Sequence, residues 1–192
     1  MKIDRVEVGV LAENCYVISI DNKCLVIDPG AEAEKIINLI ADKEVLGILI
    51  TNHNFDHVGA LEEIKNKYKV DVLDYINASE KEYSIGPFDI EVIFNPGHTV
   101  DSISFYFKEE NIMFVGDFIF YNSIGRCDLE GGNYQVMQNS IKKLCSINKD
   151  ITLYPGHGTK TTLAYEKEHN PFFYDGVFIF FMVIFSYKIR SC

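Results

Sequence analysis

Directly behind the apolar run Val45-Leu46-Gly47-Ile48-Leu49-Ile50 the chain carries a polar knot, Thr51-Asn52-His53-Asn54-Phe55-Asp56-His57. The apolar run reads as a buried strand. Beyond the knot, Leu61, Ile64 and Tyr68 recur at helical spacing. An Asp and a His compressed into a strand-to-helix turn are metal-ligand types held between rigid flanks. The pattern returns in Asn95-Pro96-Gly97-His98-Thr99, in Val115-Gly116-Asp117 and in Tyr154-Pro155-Gly156-His157-Gly158. Each again sets a His or an Asp in a Gly-bearing turn just past an apolar strand. Turns of this kind, one after another, converge on one edge of a sheet core and mark a metal site.

The remaining segments supply the scaffold. Residues 3–8, 14–20 and 23–27 read as three short strands, with Val6, Val8 and Val10 alternating with other residues and Asp21-Asn22 forming a hairpin turn. After Asp28-Pro29-Gly30, residues 31–43 place Ile36, Ile37, Leu39 and Ile40 on the face of an amphipathic helix. Asp28 has two readings, a cap for that helix or a residue at the edge of the site. Further on the expectation is a strand over 70–73, a short helix over 77–83 and strands over 89–94, 102–107 and 111–115. A helix over 134–145, a strand over 151–154 and a helix near the end complete the series. This order predicts an α/β fold, two sheets packed together with helices outside, a sandwich of four layers.

Composition narrows the function. The chain has 192 residues, which fits one domain burying about 70% of its unfolded surface. Its net charge of −10 argues against nucleic acid, since phosphate neutralisation needs clustered Lys and Arg. The scattered cysteines Cys15, Cys24, Cys127, Cys145 and Cys192 form no C-x-x-C pair. With no signal-like apolar core at the start, they point to reduced thiols and a cytoplasmic protein. The apolar run 177–185 is shorter than the roughly 20 residues a membrane-spanning helix needs. A strand packed on the body, a partner-binding or aggregation-prone segment, and a non-native extension all remain open for it.

The run from Ile50 to Gly59, with Pro96-Gly97-His98-Thr99, Gly116-Asp117 and Pro155-Gly156-His157-Gly158, resembles the metallo-β-lactamase-fold hydrolases. It is most similar to their short glyoxalase II-like (hydroxyacylglutathione hydrolase-like) members. Gly125-Arg126-Cys127-Asp128, Gly131-Gly132, Tyr165-Glu166 and Asn170-Pro171-Phe172 extend the likeness over residues 1–173, leaving 174–192 as a tail. It implies a four-layer αβ/βα sandwich of two mixed β-sheets.

In that family the first motif reads Thr-His-x-His-x-Asp-His. Its first two His join the His of the Gly-His-Thr turn around one metal. Its Asp and last His join the His of Pro-Gly-His-Gly around a second, and the Asp of Gly-Asp bridges both. Carried over by position, the second set is complete in Asp56, His57, His157 and the bridging Asp117. The first set keeps only His98, because Asn52 and Asn54 stand where the two His belong. Carboxamide oxygen is a weak zinc donor beside imidazole. His53 sits one position off and reads as a loop histidine rather than a replacement ligand.

The resemblance therefore implies a metal-dependent hydrolase of a thioester or related acyl substrate, with a weakened or empty first metal site. Zinc is the expected ion, one per chain with two allowed, and iron or manganese also suit the donor set. Asp56 is the candidate for orienting the attacking water, and Asn52 or Asn54 for donating to a developing oxyanion. Arg126 is either a substrate-binding cation or half of an ion pair with Asp128. The rival reading is a catalytically inactive relative that keeps the fold and a single metal or binding role. The oligomeric state is left open.

Overall fold

A computed structural model describes residues 1–174. The tail 177–185 lies outside the described residues. The strands β1 (Lys2–Val8), β2 (Glu13–Ile20), β3 (Lys23–Ile27), β4 (Glu44–Leu49) and β5 (Val72–Leu73) form one sheet in that spatial order. The first three strands run antiparallel, and β4 and β5 continue parallel to β3. Helices α1 (Ala33–Ile40), α2 (Phe55–Val58) and α3 (Leu61–Tyr68) belong to this half.

The second half contains β6 (Glu82–Ile85), β7 (Phe88–Phe94), β8 (Ile103–Phe107), β9 (Ile112–Gly116), the hairpin β10 (Ile119–Phe120) and β11 (Ser123–Ile124), and α4 (Tyr134–Cys145). After these come β12 (Thr152–Pro155), β13 (Thr161–Thr162), α5 (Leu163–His169) and a 3₁₀ turn, Pro171–Phe173. The second sheet runs β13-β12-β9-β8-β7-β6, antiparallel except where β12 lies parallel to β9.

Three apolar clusters define the four layers. Successive side chains of a strand point to opposite faces, and β2 shows the consequence. Its Cys15 and Val17 pack with Val26, Ile36, Ile40 and Ile64 beneath α1 and α3. Its Tyr16 and Ile18 enter the layer between the sheets, against Phe88, Phe105, Phe107 and Phe114. Strand β9 divides in the same way, with Phe114 in the central layer and Met113 and Val115 in the cluster formed with Met137, Ile141 and Leu144 of α4. Both sheets are thus covered on both faces. Their inner strands read as continuous apolar runs because helices lie outside them.

Two sequence expectations are corrected. Residues 77–83 form no helix, since a turn over 75–77 leads into β6. The Asp74 carboxylate accepts the backbone N–H of Ile76 and of Asn77, and Asn77 returns a bond to the Val72 carbonyl. Such local side-chain bonds offer the backbone an alternative to helix. Asp28 caps nothing, because α1 begins at Ala33 behind Glu32 with no side-chain cap. Strands β10, β11 and β13 are two-residue elements, too short to show an alternating pattern.

Two glycines let the site elements meet. A Cβ at Gly30 would lie 1.7 Å from the Asp56 carbonyl oxygen and 2.7 Å from Glu13 Oε2. One at Gly59 would lie 2.3 Å from the Gly30 carbonyl oxygen. The loop after β3 and helix α2 therefore touch backbone to backbone, with the Ala60 N–H donating to the Pro29 carbonyl at 2.9 Å. Gly30→Ala is expected to destabilise the protein by about 3 kcal/mol, read as a lower midpoint in urea unfolding.

Candidate metal centre

The polar knot leaves β4 and turns at once into α2. Asp28, at the end of β3, governs its path. The Thr51 N–H donates to Asp28 Oδ1 at 2.7 Å, and the Thr51 hydroxyl donates to Oδ2 at 2.6 Å. His57 Nδ1 lies 3.1 Å from the same Oδ2, and the whole cluster is buried. A carboxylate accepts only, so His57 donates through Nδ1 and turns Nε2 inward. That Nε2 has no hydrogen-bond partner among the described residues, and neither does Asp117 Oδ1, 3.4 Å away. Two facing acceptors deprived of water repel unless a cation or proton sits between them.

The other histidines are held in the same manner. His157 donates through Nδ1 to the Leu11 carbonyl at 3.1 Å and brings Nε2 to 3.1 Å from Asp56 Oδ2 and 3.6 Å from Asp117 Oδ2. His98 donates through Nδ1 to the Arg126 carbonyl at 2.8 Å and brings Nε2 to 3.4 Å from Asp117 Oδ2. Each imidazole is oriented by a bond on its outer nitrogen, as metal-binding histidines are. One ligand atom from each of Asp56, His57 and His157 lies within 4.8 Å of the other two. With Asp117 beside them, this donor set of two imidazoles and two carboxylates suits zinc, iron or manganese. Gly156 leaves the space open, since a Cβ there would come within 2.5 Å of Asp117 Oδ1 and 2.6 Å of His57 Cε1.

The electrostatics favour positive charge here. Burial alone would lower the His57 pKa, but the Asp28 carboxylate and then Asp117 hold it well above the ordinary histidine value. The hydrogen bond to Asp56 raises that of His157. Burial works to raise the Asp56 pKa, and the bond to His157 overcomes it, leaving the carboxyl below its ordinary range.

The other half of the centre is different. Asn52 is 1% exposed, its Nδ2 directed to the Thr51 hydroxyl at 3.4 Å and its Oδ1 accepting the Asn54 N–H at 3.0 Å. Asn54 Nδ2 stands 2.8 Å from His98 Nε2. The one remaining imidazole of the first set therefore accepts a hydrogen bond where it would bind a metal. His53 turns away from the centre, as expected of a loop histidine, and sits between Asp101 at 2.6 Å and Asp74 at 3.2 Å. Arg126 reaches the cleft rim but makes a bidentate pair with Asp128, both contacts at 2.8 Å.

Several functional residues carry no motif. Asn14 donates its amide to the Pro155 and Gly158 carbonyls at 3.0 Å each, and the Tyr16 hydroxyl donates to Pro155 at 2.6 Å. Together they fasten the His157 loop to β2. Glu13 is fully buried with neither oxygen partnered among the described residues, and burial, reinforced by Asp28, pushes its pKa up to about 10. Polar residues at the head of an otherwise mostly apolar strand were the available signal for Glu13 and Asn14.

Known proteins resemble this chain over most of its length. The metallo-beta-lactamase superfamily model matches residues 8–75 and 78–157. A Bacillus subtilis protein named as a probable metallo-hydrolase is 34% identical over 90% of this chain and 97% of its own. The hydroxyacylglutathione hydrolase GloC of Haemophilus influenzae is 31% identical over 90% of this chain and 98% of its own. Among solved structures, the BLEG-1 B3 metallo-beta-lactamase superposes with a TM-score of 0.87 at 28% identity, over 91% of this chain and all of that one. TTHA1623, in a di-iron-bound form, gives 0.80 at 30% identity over 88% and 99%.

Asp28→Asn removes the charge that orients His57 and is expected to weaken metal binding by about 10–100-fold, measured by chelator competition. Glu13 supplies a pH test. Its pKa is raised in the fold, so its contribution to stability is present below the unfolded carboxyl value and is lost as pH climbs toward about 10. Glu13→Gln retains the shape of the neutral acid. Relative to the parent, its urea midpoint in chelator-treated protein is expected to rise between roughly pH 5 and roughly pH 9.

Proposed function

The chain belongs to the metallo-beta-lactamase superfamily and is a metallo-hydrolase of that group, and from this premise we propose that it hydrolyses small thioesters or related acyl compounds with one divalent metal ion. The observation that carries the proposal is the asymmetry of the centre. His57 Nε2 and Asp117 Oδ1 face each other without hydrogen-bond partners among the described residues, whereas His98 Nε2 meets the Asn54 amide. Asp56, His57, His157 and Asp117 would hold the ion, and zinc fits them. When bound, such an ion supplies a water of lowered pKa at neutral pH.

The chain's own residues account for the rest of the reaction. Asp56 orients the water and receives its proton as the water oxygen forms a bond to the acyl carbon. The carbonyl π pair moves onto its oxygen. Collapse of that oxyanion breaks the C–S bond, and the thiolate leaves with the bonding pair and takes the proton from Asp56. The products are a carboxylic acid, which ionises to solvent, and a thiol.

The cleft over these residues encloses about 700 Å³. Asn54, Asp56, His98, Asp117 and His157 give it a polar floor, and Leu11, Phe120, Ile124 and Leu129 give it apolar walls. Leu11 and Leu129 remain 50% and 47% exposed, apolar surface that a bound acyl or thiol group would cover. The Haemophilus influenzae relative acts on a thioester by its name, hydroxyacylglutathione hydrolase, which supports the same class. Arg126 serves as the cleft's rim cation, able to exchange Asp128 for an anionic part of the substrate.

Protein purified without added metal is expected to hold one tightly bound divalent equivalent per chain by elemental analysis. Chelation is expected to abolish hydrolysis of S-acyl N-acetylcysteamine substrates. Two tightly held equivalents would overturn the one-ion reading. A fully metallated protein that turns over no ester or thioester would establish the inactive relative instead.

A further inference from the structure

We propose that Asn54 is a catalytic residue, its side-chain N–H donating to the oxyanion of the acyl substrate, and that His98 is a positioning residue that aims it. This deepens the proposed hydrolase function and rests on it. His98 Nδ1 faces the Arg126 carbonyl at 2.8 Å, and a carbonyl only accepts. The Nδ1 proton is thereby placed, and in the neutral ring Nε2 is an acceptor. The Asn54 atom 2.8 Å from Nε2 must then be the amide nitrogen, which fixes the orientation of the carboxamide. One of its two hydrogens is spent on His98. The second has no protein acceptor among the described residues, and Asn54 lines the cleft floor with Asp56, His98, Asp117 and His157.

The distinction from Asn52 is structural. Asn52 is 1% exposed, both ends of its amide engaged within the knot, and it is absent from the cleft wall. Asn54 occupies the place that the family resemblance gives to a ligand of the first metal, and a metal ion bound beside a carbonyl would polarise it. A preorganised amide donor meets the same electrostatic demand, since charge grows on the carbonyl oxygen as the water oxygen bonds to carbon. No proton is transferred by Asn54. It holds the oxyanion until the C–S bond breaks and the carbonyl re-forms. A donor aimed in advance by an imidazole loses no orientational freedom at that moment, and this is the contribution of His98.

The test uses metal-loaded protein and an S-acyl N-acetylcysteamine thioester. Asn54 sits at the N-cap of α2 but makes no side-chain capping bond there, so Asn54→Ala leaves the helix start intact. Its kcat is expected to fall by about 10²–10³-fold with KM little changed and bound metal unaltered. His98→Ala is expected to lower kcat less and to leave the metal equivalents and chelator resistance of the parent, with His98→Gln restoring part of the loss. With a dithioester, whose C=S accepts hydrogen bonds poorly, the Asn54→Ala penalty is expected to shrink. Unchanged kcat in Asn54→Ala, in an active parent, would sink the assignment while sparing the hydrolase reading. Loss of a metal equivalent in either variant would make these residues ligands instead. A parent inactive on every thioester would remove both readings together.

Discussion

Three hydrogens converge on the carboxylate of Asp28, from the Thr51 backbone, the Thr51 hydroxyl and His57 Nδ1. The centre depends on that convergence. It ties the end of β3 to the end of β4 and sets the first turn of α2 against both. It also turns Nε2 of His57 toward Asp117. Because all of this is buried, each bond is made where the alternative is an unpaired polar group, which costs about 1–3 kcal/mol. The same negative charge keeps His57 receptive to a cation.

Around Asp117 the three histidines obey one rule, the outer nitrogen donating outward and the inner one turned to the carboxylate. The inner nitrogens meet different partners in the two halves. On the Asp56 side the inner nitrogen of His57 and one oxygen of Asp117 have no hydrogen-bond partner among the described residues. On the Asn54 side the inner nitrogen of His98 is already answered by an amide. A cation resolves the first arrangement and has little to gain in the second, since binding there would displace a formed hydrogen bond and find weak carboxamide donors. One chain thus presents a charged half and a neutral half, under a cleft with apolar walls.

Much of the fold was legible because its inner strands are buried on both faces. The runs holding Cys15 to Ile20, Ile103 to Phe107 and Ile112 to Val115 carry little else but apolar side chains, and helix α4 falls on the expected residues 134–145. The segment 77–83 misled because its composition suits a helix, while the Asp74 and Asn77 side chains spend their hydrogen bonds on a local turn. Asp28 misled for a related reason. An Asp before an amphipathic helix has the form of a cap, and only the return of β4 beside β3 brings Thr51 and His57 to it.

By itself the sequence determined which side chains are available and where they sit along the chain, a His or an Asp in the turn after each of several strands, with Asn at two places where the family resemblance sets His. Those facts are local, and they were enough for the layered fold. The tertiary structure alone decided which atoms face one another. That Asn54 meets His98, that Asp101 and Asp74 claim His53, and that Asn14 fastens the His157 loop all come from elements apart in sequence. Hydrogen-bond direction is set by the partner each group meets, and those partners are brought together only when the two sheets close on their shared core.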